Sequence, residues 1–246
     1  MNAAIDIRDL HLAYGDRPVL SGVDLRVAPG EVVLVIGNSG CGKSALLKAI
    51  LGLEQPSAGR VLLLGQELPA LPAEEQLTLR RRLGAMFQYG ALLSSLTVAE
   101  NVALPLEMHT SLPEELIGDL VRTRLHQVGL GHAAGLYPPQ LSGGMRKRAA
   151  LARALALDPE ILFCDEPVAA LDPAAAAEID HLLLTLNRSL GTTLVVVTHE
   201  LQSIDRLGGR LILLDQGKVV FTGTLSQARE SAMPVVARFF NPGIRR

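Results

Sequence analysis

The 246 residues are 48% hydrophobic and 20% charged, which excludes general disorder and suits one large α/β domain or two small ones. The 23 basic and 25 acidic side chains leave a formal charge of −2, arguing against a protein whose whole surface grips nucleic acid. Only Cys41 and Cys164 occur, no apolar run nears the roughly 18 residues of a membrane span, and the first residues lack a leader's apolar stretch. The expectation is a soluble protein of a reducing cytosol.

In chain order, IDIRDLHLAY alternates apolar and polar positions, Gly15-Asp16 offers a turn, and VDLRV runs to Pro29-Gly30, which predicts short antiparallel strands. EVVLVIG reads as a buried strand that Gly37 opens into a glycine-rich loop, and SALLKAILGL as a helix stopping near Gly52. VLLLG is a strand, residues 74–82 a charged helix, and LGAMFQ another strand. Residues 90–155 then read as an inserted helical subdomain, with capping boxes expected at Thr97/Glu100 and Ser111/Glu114. Alternation resumes with the strand EILFCDEP, a helix from Asp172-Pro173 to Gly191, the strand TTLVVVT and a hairpin about Gln216-Gly217. Residues 234–246 read as a loosely held tail.

The strongest local signal is Gly37-Asn38-Ser39-Gly40-Cys41-Gly42-Lys43-Ser44, which satisfies G-x-x-x-x-G-K-[ST] and runs on into Ala45. Glycines let consecutive backbone N–H groups curl around phosphate oxygens, and the following helix adds its positive end. Lys43 would neutralise the β- and γ-phosphates and the Ser44 hydroxyl would ligate Mg²⁺. Asp165-Glu166 closes an apolar strand, where parallel-sheet sites collect. Alone it is a turn or a cap. Beside a phosphate loop, Asp165 would hold Mg²⁺ and Glu166 would be the general base on water. Ser142-Gly143-Gly144 opens a helix and makes a second anion cradle, able to serve the nucleotide of a twofold-related copy.

These motifs, in this order with Ala170-Leu171-Asp172 and Thr198-His199, resemble the ATP-binding subunits of ABC transporters over essentially the whole chain. The resemblance implies an α/β P-loop NTPase core with an N-terminal antiparallel β subdomain and an inserted helical subdomain. It implies ATP and Mg²⁺ as cofactors, a homodimer sandwiching ATP, an integral-membrane permease as partner, and a peripheral place on the cytoplasmic face of the inner membrane. It also gives roles to residues that spacing alone does not. Tyr14 matches the aromatic stacked on adenine, with strand-end packing as the alternative. Gln88 matches the glutamine that contacts Mg²⁺ and faces the permease. Asp172 matches the aspartate at the dimer interface, and His199 the histidine that contacts the γ-phosphate.

The phrase FQYGALLSSLTVAENVALPL and Met145 resemble the Mla-type ATPases, which move phospholipid with a permease, an MCE-domain protein and, in some systems, a small regulatory subunit. The alternatives are an ABC importer or exporter with another cargo, or a clamp on nucleic acid or ribosomes; one cassette and no net basic charge disfavour the clamp. Ala91, Leu92, Leu93, Leu96 and Val98 are expected to form an apolar docking patch, with core filling as the alternative. Arg80-Arg81-Arg82 and Arg146-Lys147-Arg148 read as solvated helix faces.

Overall fold

The computed structural model describes residues 3–240. β1 (Ile5–Tyr14) and β2 (Arg17–Val27) pair antiparallel across Gly15-Asp16, as their alternation predicts. With β4 (Ala58–Leu63) and β5 (Gln66–Glu67) they make a four-stranded sheet in the order β2-β1-β4-β5. The second sheet runs β10-β9-β3-β8-β7-β6. Its members are β3 (Val32–Ile36), β6 (Leu83–Met86), β7 (Ile161–Asp165), β8 (Thr193–Thr198), β9 (Arg210–Asp215) and β10 (Lys218–Gly223). All its pairs are parallel except the β9–β10 hairpin, whose turn residues Gln216 and Gly217 both take positive φ.

Burial on both faces explains the unbroken Val/Ile/Leu runs. Val33 and Val35 of β3 face one core, with β1, β2 and α1 (Lys43–Ile50). Leu34 and Ile36 face the other, with the helices. β7 divides the same way, Ile161 and Phe163 against Leu162 and Cys164. The charged helix is α2 (Ala73–Arg81), and the inserted helical subdomain is α3 (Val98–His109), α4 (Glu114–Gln127) and α5 (Gly143–Ala154). α6 (Pro173–Leu190) is capped by Asp172 and ended by Gly191 at φ 67°. It packs on α7 (Leu201–Leu207), where the fully buried Asp180 accepts from Ser203 Oγ and Arg206 Nε at 2.8 Å each, leaving Oδ1 without a partner. Burial raises the pKa of Asp180 more than Arg206 and Ser203 lower it.

Three sequence expectations need correction. The Thr97/Glu100 capping box forms, but Ser111/Glu114 does not. The residue before a proline is steered away from helix; Pro113 therefore stands at the N-cap and Ser111 lies too far upstream to cap. Val98 is fully buried and Leu92 and Leu96 half-buried, so the docking patch shrinks to Leu93 (46% exposed), Ala91 and the unforeseen Tyr89 (92% exposed). The expected tail begins as ordered structure. α8 (Leu225–Arg229) leads to α9 (Pro234–Phe240), which buries Val236 and Phe239; residues 241–246 lie outside the described residues.

Candidate functional site

β3 ends at Ile36 and the chain turns at once into the glycine loop. Gly37 has φ 150°, and a Cβ there would sit 2.3 Å from the Leu214 carbonyl oxygen, so no other residue fits. Gly42, the N-cap of α1, has φ 111°. Lys43 is buried, and its Nζ donates to the Gly37 and Asn38 carbonyls at 2.7 and 3.1 Å, curled over its own loop. Asn38, Ser39, Gly40 and Ser44 are exposed, whereas Cys41 and Ala45 pack inward. Cys164, fully buried on β7, has its thiol pushed up to about 12 by desolvation and stays an inert thiol.

Strand order brings the rest of the site to this loop. β8 lies between β3 and β7, so His199, just past β8, falls between the phosphate loop and the carboxylates closing β7. His199 Nδ1 stands 2.7 Å from Glu166 Oε1. Asp165 Oδ1 and Glu166 Oε2 are buried without a hydrogen-bond partner. Two partnerless carboxylate oxygens beside a serine hydroxyl suit a divalent cation. Burial and the neighbouring Glu166 charge raise the pKa of Asp165, while Ser44, Lys43 and Lys147 oppose the rise. Among the described residues no cluster of three or more His, Cys, Asp or Glu is arranged to hold a metal. Mg²⁺ here would draw on Ser44, Asp165 and the nucleotide's own phosphates. No hydrogen bond among the described residues joins the Gln88 side chain to this group; its carbonyl is what the structure engages.

Tyr14 closes β1 at 47% exposure and belongs to neither core cluster, leaving its ring free to stack. Partial burial and the nearby Glu54 carboxylate raise its pKa.

Ser142 is exposed and caps α5, its Oγ accepting from the Met145 N–H at 3.2 Å. With Gly143, Gly144 and Met145 it borders a cavity of about 290 Å³ whose other wall carries Ala170, Leu171 and Asp172. No phosphate-loop residue lines that cavity, so the second cradle stands apart from the first. Asp172 Oδ1 is engaged as a cap, accepting from the Ala174 and Ala175 N–H groups at 3.0 Å.

In the basic run beside Ser142, Arg146 is exposed as expected, but Lys147 and Arg148 depart from the solvated-face expectation. Lys147 is buried and donates to the Gln88 and Glu166 carbonyls, and Arg148 reaches the Val128 carbonyl and Glu178. Arg153 holds the Gly90 and Ala91 carbonyls. Asn101, also fully buried, donates to the Leu93, Leu96 and Thr97 carbonyls and accepts from the Leu93 N–H. A lysine between two arginines carries no sequence sign of burial; only the helical period, placing 147 with buried Ala150 and Leu151, could have marked it.

Comparison with known proteins agrees with this geometry. Residues 20–169 match the ABC transporter family. The methionine import ATP-binding protein MetN of Xanthomonas oryzae pv. oryzae is 45% identical over 240 residues, 96% of this chain and 71% of that protein. The ATP-binding cassette MJ0796, solved as a dimer in a post-hydrolysis state bound to ADP and Pi, superposes with a TM-score of 0.82 at 34% identity, covering 90% of this chain and 98% of that one. CbiO1 of Clostridium perfringens, part of the transporter complex cbiONQ, superposes at 0.85 with 28% identity over 99% of this chain and 96% of its own. The MetN relatives are by name ATP-binding proteins of methionine import, where the Phe87–Leu106 phrase and Met145 had pointed to the Mla type. With a glycine loop, two partnerless carboxylates and a separate serine-glycine cradle on the fold these cassettes share, the chain belongs to the ABC transporter family as an ATP-binding, ATP-hydrolysing subunit.

Proposed function

We propose that two copies of this chain sandwich ATP beneath a separate integral-membrane permease, at the cytoplasmic face of the inner membrane, and drive import of a small solute of the amino-acid class. The observation that carries the sandwich is the separation of the two cradles: Lys43 and the carboxylates lie at one, while Ser142 borders a cavity without them. Each site is then completed by the partner's Ser142, Gly143 and Gly144 N–H groups and hydroxyl, with Asp172 beside them. Ser44, Asp165 and Gln88 would hold Mg²⁺, which when bound offsets phosphate charge. Glu166 takes the proton of the attacking water, His199 orients that carboxylate and meets the γ-phosphate, and Tyr14 stacks on adenine. No helix of the described residues is long and apolar enough to cross a membrane, which fits a separate permease.

The cargo reading rests on the methionine-import names of the relatives. A second reading, phospholipid transport with an MCE-domain partner and a small regulatory subunit, is favoured by one feature: the Gln88–Pro105 segment, whose Tyr89 and Leu93 project into solvent. Affinity purification from mild-detergent membranes separates them. A permease with a solute-binding protein, together with lost amino-acid uptake in a deletion strain, supports import. An MCE-domain protein and a detergent-sensitive outer membrane overturn it.

A further inference from the structure

Lys147 is 8% exposed, and an ammonium taken out of water needs partners. Its hydrogen-bond partners are main-chain carbonyls. Nζ donates to the Gln88 oxygen at 2.6 Å and to the Glu166 oxygen at 3.0 Å. Three elements thus meet at one atom: the helix that Ser142 caps, the loop after β6, and the turn after β7.

The turn needs such a tie. Glu166 has φ 47°, a left-handed conformation that a side chain with a Cβ keeps only where its surroundings over-determine it. Its N–H donates to the Val197 carbonyl at 2.8 Å, and its own carbonyl accepts from Lys147. The peptide units on both sides of the residue are therefore fixed, and with them the direction of the Cα–Cβ bond from which the carboxylate hangs; His199 then holds the carboxylate itself. Gly90 and Ala91, two and three residues beyond Gln88, are held by Arg153 of the same helix at 2.8 and 2.7 Å, so α5 grips the start of that loop from two side chains.

We propose that Lys147 is a positioning residue for hydrolysis, its buried ammonium tying the Gln88 loop and the Glu166 turn to one point on α5. This rests on the reading of Glu166 as the general base. Packing of the stem alone would be met by a methionine, which is unbranched, one heavy atom shorter and without a donor. In the purified full chain, Lys147→Met is expected to lower kcat about 10- to 100-fold, since misplacing a catalytic group by about 1 Å costs that much. The KM for ATP and the stoichiometry of nucleotide binding are expected to stay near wild type, the mark of an interaction used only in the transition state. Lys147→Arg, which keeps a charged donor, is expected to recover a clear part of kcat. Wild-type turnover in Lys147→Met overturns the proposal. So does a loss that tracks falling binding stoichiometry, or an equal loss in both variants. Glu166→Gln is measured alongside. If it turns over normally, the base assignment fails and Lys147 falls with it; if it is inactive while Lys147→Met is not, Lys147 alone falls.

Discussion

His199 Nδ1 meets Glu166 Oε1 at 2.7 Å, so the carboxylate proposed for water activation is held by the residue proposed to meet the γ-phosphate. The other oxygen, Oε2, is buried and partnerless. One side of the carboxylate is thus fixed and the other available.

Glu166→Gln keeps the shape and the acceptor oxygen but loses the base. It is expected to retain ATP binding and lose about 10²–10⁴-fold in turnover, read by a phosphate-release assay beside a binding isotherm. Lys43→Ala is the contrasting variant, because its ammonium sits on the loop itself; it is expected to weaken ATP binding directly.

Tyr14→Ala is expected to lose about 1–3 kcal/mol of ATP affinity, by analogy with base–aromatic stacking, and Tyr14→Phe little. Binding isotherms decide it. Equal affinity for Ala and wild type would return Tyr14 to a strand-end packing role.

Ser142→Cys paired with a cysteine at Ser39 tests the sandwich. Both positions are exposed, and within one chain they belong to separate cradles. With ATP bound and Glu166→Gln present to slow turnover, oxidation is expected to give an intermolecular disulfide, seen as a dimer on a non-reducing gel. An intramolecular product, or no dimer at any ATP concentration, argues for sites built in one chain.

Asn101 is a structural test of the segment proposed to meet the permease. Its amide makes four hydrogen bonds to residues 93–97 from a fully buried position. Asn101→Ala is expected to destabilise the protein by about 1–3 kcal/mol for groups left unpaired, measured by urea unfolding. Asn101→Asp, which keeps the acceptor and loses the donors, is expected to be no better.

Asp180 sets a pH dependence. Its folded pKa lies above the unfolded value because burial outweighs Arg206 and Ser203. Its contribution is therefore fully present below the ordinary value of 3.8 and lost as pH rises through the folded pKa. Asp180→Asn does not ionise, so its melting temperature relative to wild type is expected to rise between pH 4 and pH 7. At about 2–4 °C per kcal/mol for a chain of this class, the shift is measurable by calorimetry. A constant difference across that range would contradict it.

What the sequence made legible was local. The phosphate loop, the Thr97 cap and the Asp172–Gly191 helix each rest on residues a few positions apart, whose chemistry acts within one turn. The Ser111 cap failed because Pro113 acts at shorter range still. Lys147 was hidden because its partners, 59 and 19 positions away, are carbonyls that any residue supplies. The cargo was not legible for another reason: none of the residues read as the ATP site has a part in choosing it, and the names of the relatives favour methionine import over the lipid cargo that the Phe87–Leu106 phrase suggested.

The helix α5 has mechanical consequences through its length. Twelve residues at about 1.5 Å each make a rod of about 18 Å, with Ser142 at one end and Arg153 near the other. A tilt of about 10° about the serine end carries the far end roughly 3 Å, more than a hydrogen bond can stretch. Arg153 grips the Gly90 and Ala91 carbonyls at that far end. The rod is thus a lever: either the loop travels with it, or the grip breaks.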